Sequence, residues 1–220
     1  MNRGRVLLGA VAWISTVQFF VTGAIVASRW SDPSYSYRLN TISSLGVTKC
    51  LNQGDLYICS PWHAAANVSW IIAGLCMLAG AVLTASVFPR DRIGRWGTWL
   101  FGVSGAGLTI VGANPDNLRG GLHGIGAVLA MVGGDIALIL LGISLRRAGQ
   151  WGRLAMAAPV FGAAGLIALP LMLVFQSSAE GALERVAAYP IIAFYILFGL
   201  AIVLTRPGSG GADSATRAAT

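Results

Sequence analysis

Residues 122–145 read LHGIGAVLAMVGGDIALILLGISL, a long apolar run in which only His123 and Asp135 are ionisable. Its length is near the roughly 20 residues that an α-helix needs to cross about 30 Å of hydrocarbon. Similar runs cover 6–28, 64–88, 96–113, 154–175 and 186–205. They are rich in Ala, Gly and Leu and do not alternate, which disfavours β-strands. The sequence therefore predicts an all-α, polytopic bundle of six transmembrane helices.

The composition supports one membrane domain over residues 1–206. Hydrophobic residues make up 55% of the chain and charged residues 10%, whereas a soluble domain carries about 25% charged residues. The alternative for the first run is a cleaved signal peptide, since Arg3 and Arg5 precede it. That run exceeds the roughly 7–15 apolar residues of a signal core, so we expect a retained helix. Residues 207–220 are mostly Gly, Ser and Ala and are expected to be disordered.

The basic residues gather at alternate breaks between the runs. One set of breaks holds ten: Arg3, Arg5, Arg90, Arg92, Arg95, Arg146, Arg147, Arg153, Arg206 and Arg217, against Asp91 and Asp213. The other set holds Arg29, Arg38, Lys49, Arg119 and Arg185, balanced by Asp32, Asp55, Asp116, Glu180 and Glu184. The positive-inside rule then places both termini in the cytoplasm.

The net charge of +7 does not indicate a nucleic-acid partner. The basic residues are spread over several short loops, without the interleaved aromatic platform that single-stranded nucleic acid needs. Attraction to anionic lipid of the inner leaflet accounts for them. One Lys against fourteen Arg suggests a bacterium of high genomic GC content. We therefore expect a multi-pass protein of the bacterial cytoplasmic (inner) membrane.

The first outer loop, residues 29–63, is the only long one and is dense in polar and aromatic groups. Long loops in compact proteins are usually functional or disordered, and its many aromatic and aliphatic side chains disfavour disorder. We expect it to fold back as a cap over the outer helix ends. Cys50 and Cys59 lie in it, and an oxidising compartment would allow them to form a disulfide. The alternative is two free thiols or two metal ligands.

Three ionisable residues stand at the predicted outer helix starts: His63 opens the second helix, His123 the fourth and Glu184 the sixth. If the three helices meet around one axis, two imidazoles and a carboxylate converge. Such a set could bind zinc or another divalent metal, with Asp116 as a fourth ligand. The alternative is that these groups satisfy free backbone N–H groups at helix starts or lie in the wet interface.

The turn before His123 concentrates charge, because Asp116 and Arg119 precede it closely. An Asp beside an imidazole orients it and favours its protonated form, which suits an acid or base. The alternative is a solvated turn with a capped helix. The same two interpretations apply to Arg38 and to the pair Glu184-Arg185.

Asp135 lies twelve residues beyond His123, about 18 Å deeper at 1.5 Å per residue. A carboxylate near the bilayer midplane is costly and usually faces the bundle interior. We expect either a proton or cation site, or a protonated Asp135 held by Gln18, Ser15 or Thr22.

The chain resembles the bacterial and archaeal membrane family catalogued as domain of unknown function 998. Three elements carry the resemblance: the stretch from Tyr35-Ser36-Tyr37 to Ser43-Ser44-Leu45-Gly46, the Asn114-Pro115 turn, and His123. It covers about residues 6–205. It implies a six-helix fold and a membrane location, and it implies no activity.

Three functions fit the pattern. The first is an outward-facing pocket that binds or acts on a lipid or isoprenoid-like molecule, with His123 or Asp116 as the acid or base. Its predicted lining is Tyr37, Arg38, His63, Asp116, Arg119, His123 and Glu184. The second is a small transporter with Asp135 as the proton or ion coupling site. The third is a non-catalytic assembly partner. The sequence leaves the oligomeric state open.

Overall fold

The computed structural model describes residues 2–54 and 56–204, without the side chain of Ser177. Within them the helices are α1 (Arg3–Ser15), α2 (Gln18–Ala27), α3 (His63–Thr84), α4 (Arg92–Ala113), α5 (Asp116–Arg147), α6 (Gly152–Val174) and α7 (Gln176–Leu204). Short strands β1 (Leu51–Gln53) and β2 (Leu56–Ile58) pair antiparallel. The predicted tail 207–220, the helix end at residue 205, and the charges of Asp55, Arg206, Asp213 and Arg217 lie outside the described residues.

The first predicted helix is divided in two at Thr16 and Val17. The hydroxyl of Thr16 donates to the carbonyl of Trp13 at 2.7 Å, and the Thr16 amide donates to the same carbonyl at 3.1 Å. Both bonds tighten the turn and take that carbonyl from the regular helical pattern. Residues 3–27 nevertheless form one segment of membrane-spanning length.

Three helices begin four or more residues earlier than predicted. α4 begins at Arg92, because Asp91 caps it by accepting the Gly94 amide at 3.1 Å. The Ser144 hydroxyl also donates to Asp91, and this bond lowers the pKa of the Asp91 carboxyl group.

α5 and α7 start at Asp116 and Gln176, each with one non-helical residue near its start. The predictions that His123 and Glu184 open their helices are therefore wrong. The polar segments that suggested turns are instead the first helical turns. His63 does open α3, as predicted.

Five segments are long and apolar enough to cross a membrane: Arg3–Ala27, His63–Val87, Asp116–Arg147, Gly152–Val174 and Ser178–Leu204. α4 is less apolar and does not belong to this set, although it packs between α3 and α5. Glycine allows that close packing: a Cβ on Gly105 would lie 2.6 Å from the Leu78 nitrogen, and one on Gly107 would lie 2.7 Å from the Gly126 oxygen. Small residues at such contacts are typical of membrane bundles.

The loop between α2 and α3 lies against one end of the bundle, called here the loop end. Gly46 packs on Trp70, and the Asn67 amide donates to the Gly46 carbonyl at 2.9 Å. Ile42, Leu45 and Val47 are buried. The predicted disulfide between Cys50 and Cys59 is confirmed and closes the β1–β2 hairpin.

The opposite half of the bundle is filled by aromatic side chains. They are Trp13, Phe88, Phe101, Trp151, Tyr195 and Phe198. The rings of Phe101 and Tyr195 stack at 3.6 Å, and the Tyr195 hydroxyl donates to the Phe101 carbonyl. The Trp13 indole donates to the Met77 carbonyl at 3.0 Å. The buried polar tips of these rings are thus satisfied, so this half is a solid core.

Candidate functional site

Three polar side chains from different parts of the chain meet at the loop end. The Ser43 hydroxyl lies 3.0 Å from Nε2 of His123 and 3.2 Å from Oε1 of Glu184. His123 is 4% exposed and Glu184 is 6% exposed, so bulk water does not replace these bonds. We refer to the three residues as the Ser43 cluster.

Ser43 reaches this position because the loop turns there into a short 3-10 helix, Ser43–Gly46. The backbone N–H of Ile42 donates to Oε2 of Glu184, which ties the start of that helix to α7. Thr41 accepts the Ser44 amide at 3.1 Å and closes the turn. Burying a backbone N–H without an acceptor would cost about 1–3 kcal/mol, so Glu184 stabilises this turn.

His123 is held in one orientation by the end of α4. Its Nδ1 lies 3.0 Å from the backbone carbonyl of Asn114. A carbonyl only accepts, so Nδ1 carries the hydrogen and, in a neutral ring, Nε2 is left bare toward Ser43. The Asn114 side chain is itself fixed, since it donates to the Ile110 carbonyl at 2.8 Å and accepts from Arg119 at 3.4 Å.

Hydrogen counting limits the protonation states of the Ser43 cluster. The Ser43 hydroxyl has one hydrogen and faces two groups. If the hydrogen points to His123, Glu184 must be protonated to donate to the Ser43 oxygen. If it points to Glu184, Nε2 must also carry a hydrogen, and His123 is an imidazolium. The two arrangements contain the same number of protons and differ only in whether Glu184 or Nε2 of His123 carries the shared one. The cluster can therefore pass a proton through Ser43.

Arg185, next to Glu184, fastens the preceding part of the loop. Its guanidinium donates to the carbonyls of Tyr37 at 2.9 Å, Asn40 at 3.0 Å and Gly181 at 2.6 Å, and to the Tyr35 hydroxyl. Burial raises the pKa of Tyr35, and the charge of Arg185 opposes this effect only in part. The phenol therefore stays neutral and donates to the Thr41 carbonyl at 2.7 Å.

Arg38 makes a second connection between the loop and α7. Its Nε donates to the Ser178 carbonyl at 2.8 Å, and its own carbonyl accepts the Ala182 amide at 3.1 Å. Tyr37 is half exposed and lies against the Arg185 guanidinium. Both predicted pocket residues thus hold the loop on its outer surface.

A narrow apolar cavity of about 50 Å³ extends from the Ser43 cluster into the bundle. Ser43 and Glu184 contribute to its wall at the loop end, and Ser104 of α4 also lines it. The rest of the wall is mainly apolar and comes from α2, α3, α4, α5 and α7: Phe19, Trp70, Met77, Leu108, Val111, Ala127, Ala130, Met131, Ala188, Ile191 and Ile192. Trp13 of the aromatic core bonds the carbonyl of Met77, so that core borders the cavity.

The predicted pocket lining agrees with this cavity at one residue, Glu184. Tyr37, Arg38, His63, Asp116, Arg119 and His123 are not among the described residues that form its wall. His123 instead contacts Ser43, which does line the cavity. Asp116 is half-buried at the start of α5 and makes no hydrogen bond to His123 among the described residues. The predicted pairing of the two is therefore replaced by the pairing of His123 with Ser43 and Asn114.

The predicted metal set is not assembled in the described part of the chain. There, no three His, Cys, Asp or Glu side chains lie close enough to hold a metal ion. His123 and Glu184 do meet, through Ser43. His63 is half-buried at the start of α3 and does not join them.

Asp135 is fully buried, and neither carboxylate oxygen has a hydrogen-bond partner among the described residues. A side chain on Gly165 would collide with this carboxylate, so α6 provides the space that it occupies. The predicted partner Gln18 is wrong. Gln18 instead bonds Ser69 twice, donating to its carbonyl at 2.9 Å and accepting from its hydroxyl at 2.6 Å.

Membrane-length apolar helices around a buried polar cluster define a polytopic helical membrane protein. The chain belongs to the family described as "Protein of unknown function (DUF998)", which matches residues 8–201 and confirms the predicted resemblance. No curated protein and no solved structure matches the chain.

The sequence alone did not predict the position of Ser43 between His123 and Glu184, nor the contact of the Asn114 carbonyl with His123. Both Ser43 and Asn114 lie in stretches that carry the family resemblance. Ser43 contacts side chains 80 and 141 positions away, which no local spacing reveals. Asn114 lies only nine positions before His123, but its backbone carbonyl carries no signal in the sequence.

Replacing Arg185 with Lys should loosen the loop. Lysine keeps the charge but lacks the planar fork that reaches Tyr35, Tyr37 and Asn40 together. Losing hydrogen bonds to a charged group, about 1.5–3 kcal/mol, should speed tryptic cleavage at Arg38 or Lys49 at least about tenfold in detergent. Arg29→Lys is the matched control, because Arg29 is exposed and contacts only the Trp62 ring among the described contacts. Equal cleavage of both variants and the unmodified protein would contradict the anchoring role.

Proposed function

We propose that this protein is an outward-facing, membrane-embedded binding site for a lipid or isoprenoid-like molecule. The polar part of the ligand contacts the Ser43 cluster, and its apolar part enters the cavity. The loop of residues 29–63 is the cap that closes the site. Both termini lie in the cytoplasm, and the membrane is the bacterial inner membrane.

The observation that carries this proposal is that two buried polar residues, Ser43 and Glu184, lie in the wall of an apolar cavity. Ser43 and Glu184 share a wall with about a dozen apolar side chains. Ligand sites are mostly apolar with a few converging polar groups, and an amphiphile matches that division. The aromatic core fills the half of the bundle opposite the loop. A cavity that borders such a core suits retention of a ligand better than its passage across the membrane.

The size of the cavity indicates which part of the protein moves. Its volume of about 50 Å³ is well above what one water needs, about 10–15 Å³. It is below the roughly 150 Å³ of a cavity that admits benzene. A chain therefore enters only if the wall retreats. Ile42 and Ser43 are the wall residues contributed by the loop, so loop movement is the gate.

The positions of the arginine residues support the proposed orientation in the membrane, and the positions of two tryptophans support a sixth transmembrane helix. The arginine-rich breaks in the described part of the chain, at residues 3–5, 90–95 and 146–153, lie at the end opposite the loop, as the positive-inside rule requires for a cytoplasmic face. Trp96 and Trp99 are exposed near the start of α4, beside Arg92 and Arg95. Tryptophan is enriched at the membrane interface, so this pair supports α4 as a sixth transmembrane helix.

Filling the cavity should expel the ligand. Ala188→Phe adds a ring to the cavity wall, whereas Val186→Phe adds the same ring at a residue that is 43% exposed. The protein is purified gently, and retained lipids are identified by native and liquid-chromatography mass spectrometry. We expect one class of amphiphile in the unmodified protein and in Val186→Phe. At least about tenfold less should remain in Ala188→Phe, the effect of about 1.4 kcal/mol of lost binding.

Equal retention in the two variants would contradict the proposed site. Absence of any retained amphiphile together with a stoichiometric membrane protein would favour the assembly role instead.

A transporter is the second candidate, and it is favoured by the burial of Asp135 without a hydrogen-bond partner in the described part of the chain. A carboxylate inside a transmembrane segment commonly belongs to a proton or ion pathway. If Asp135 couples transport, Asp135→Asn should abolish proton flux in proteoliposomes under an imposed pH gradient, read with a pH-sensitive dye. Asp116→Asn is the control, because Asp116 lies at the start of the same helix. Unchanged flux in Asp135→Asn, or no flux in the unmodified protein, would exclude this role.

A further inference from the structure

We infer that Ser43 is a nucleophile activated by His123, and that the site cleaves or transfers an ester-linked acyl group of its amphiphile. This inference rests on the proposed binding function and adds a reaction to it. It assigns Ser43 a role that neither the family nor the sequence pattern provides.

The contacts of His123 meet the geometric requirements of a serine nucleophile and its base. Such a pair needs the hydroxyl within about 2.6–3.2 Å of the imidazole and a third group that orients the ring. Ser43 lies 3.0 Å from Nε2, and the Asn114 carbonyl holds Nδ1 at 3.0 Å. A ring fixed by a carbonyl at Nδ1 presents its basic nitrogen to the serine, the tautomer that proton removal requires.

Ser43 lies where the head group and the acyl chain of a bound amphiphile would meet. Ser43 lies in the cavity wall where the polar cluster meets the apolar lining. The ester that joins a head group to an acyl chain lies at the same boundary of a lipid. A chain placed in the cavity therefore brings its ester carbonyl to the Ser43 hydroxyl, which is how binding energy positions a reacting group.

The reaction balances with water as the only co-reactant. Oγ of Ser43 bonds the carbonyl carbon, and its proton passes to Nε2 of His123. The bond from that carbon to the head-group oxygen then breaks, and the departing oxygen takes the proton from Nε2. Water attacks the acyl-Ser43 ester and gives its proton to Nε2. The bond to Oγ breaks, Oγ recovers the proton, and a fatty acid and an alcohol leave.

Glu184 is a positioning residue in this scheme. Its Oε2 accepts the Ile42 amide and so fixes the turn that carries Ser43. When the Ser43 hydrogen points to His123, the protonated Glu184 donates to the Ser43 oxygen. Glu184→Ala should lose reactivity, and Glu184→Gln, which keeps both a donor and an acceptor, should recover part of what Glu184→Ala loses.

Ser28 provides the matched control for Ser43. Its hydroxyl donates to the Ile25 carbonyl at 2.8 Å, and it is not among the described residues that form the cavity wall. Ser28→Ala should therefore leave the reactivity of Ser43 unchanged.

The test uses a fluorophosphonate probe, which forms a covalent bond with activated serine hydroxyls. The full-length protein is labelled in detergent, and peptide mass spectrometry locates the adduct. We expect the adduct on Ser43 and none at this position in Ser43→Ala. Labelling should be at least about a hundredfold slower in His123→Gln, the usual effect of losing a general base. Ser28→Ala should react like the unmodified protein, and Glu184→Gln should recover reactivity that Glu184→Ala loses. Locating the adduct in the unmodified protein makes the test independent of how well each variant folds.

The outcomes separate this inference from the binding proposal. Retained amphiphile without an adduct on Ser43 would overturn the inference and leave the binding site intact. An adduct on Ser43 without retained amphiphile would support the nucleophile and overturn the binding proposal. Unchanged labelling of folded His123→Gln would remove His123 as the base and overturn the inference.

Discussion

A backbone N–H that is buried away from water needs an acceptor, and this requirement organises the loop end of the bundle. Ile42 meets it through the carboxyl group of Glu184, which comes from the far end of the chain. That one bond fixes the turn on which Ser43 lies, and Ser43 in turn reaches His123. Without Glu184, the Ile42–Ser43 turn would lose this attachment to α7 and the cavity would lose part of its wall.

The two halves of the bundle differ in physical character. Aromatic rings with satisfied polar tips fill the half opposite the loop, whereas the loop half encloses a cavity beside a proton-sharing cluster. A dense core resists rearrangement, whereas empty space beside the Ser43 cluster leaves room for it. If the loop moves as we propose, the change of shape is therefore confined to the loop end. Asp135 is the exception, because it is a buried carboxylate without a partner among the described residues.

Composition and run length predicted the helical membrane character. Two cysteines in one outer loop predicted the disulfide, and three short motifs predicted the family. Each of these features depends on local sequence. The helix starts were less predictable: polar residues before His123 and Glu184 indicated turns, yet they form helical turns. The site was predicted only in part. The residues His123 and Glu184 were expected, but Ser43 was not, because hydrogen bonds between distant segments leave no periodic signal in the sequence. For the same reason the sequence predicted the wrong partner for Asp135, because Gln18 bonds Ser69 on the neighbouring α3 instead.

The central claim is that the Ile42–Ser43 turn is held in the bundle by Glu184. Amide hydrogen exchange of residues 41–46, measured in lipid nanodiscs by mass spectrometry, tests it most directly, because exchange reports the opening of individual hydrogen bonds. The account predicts strong protection in the unmodified protein and exchange at least about tenfold faster in Glu184→Ala, as expected for the loss of about 1.4 kcal/mol. Exchange at the rate of a free loop in the unmodified protein would contradict it.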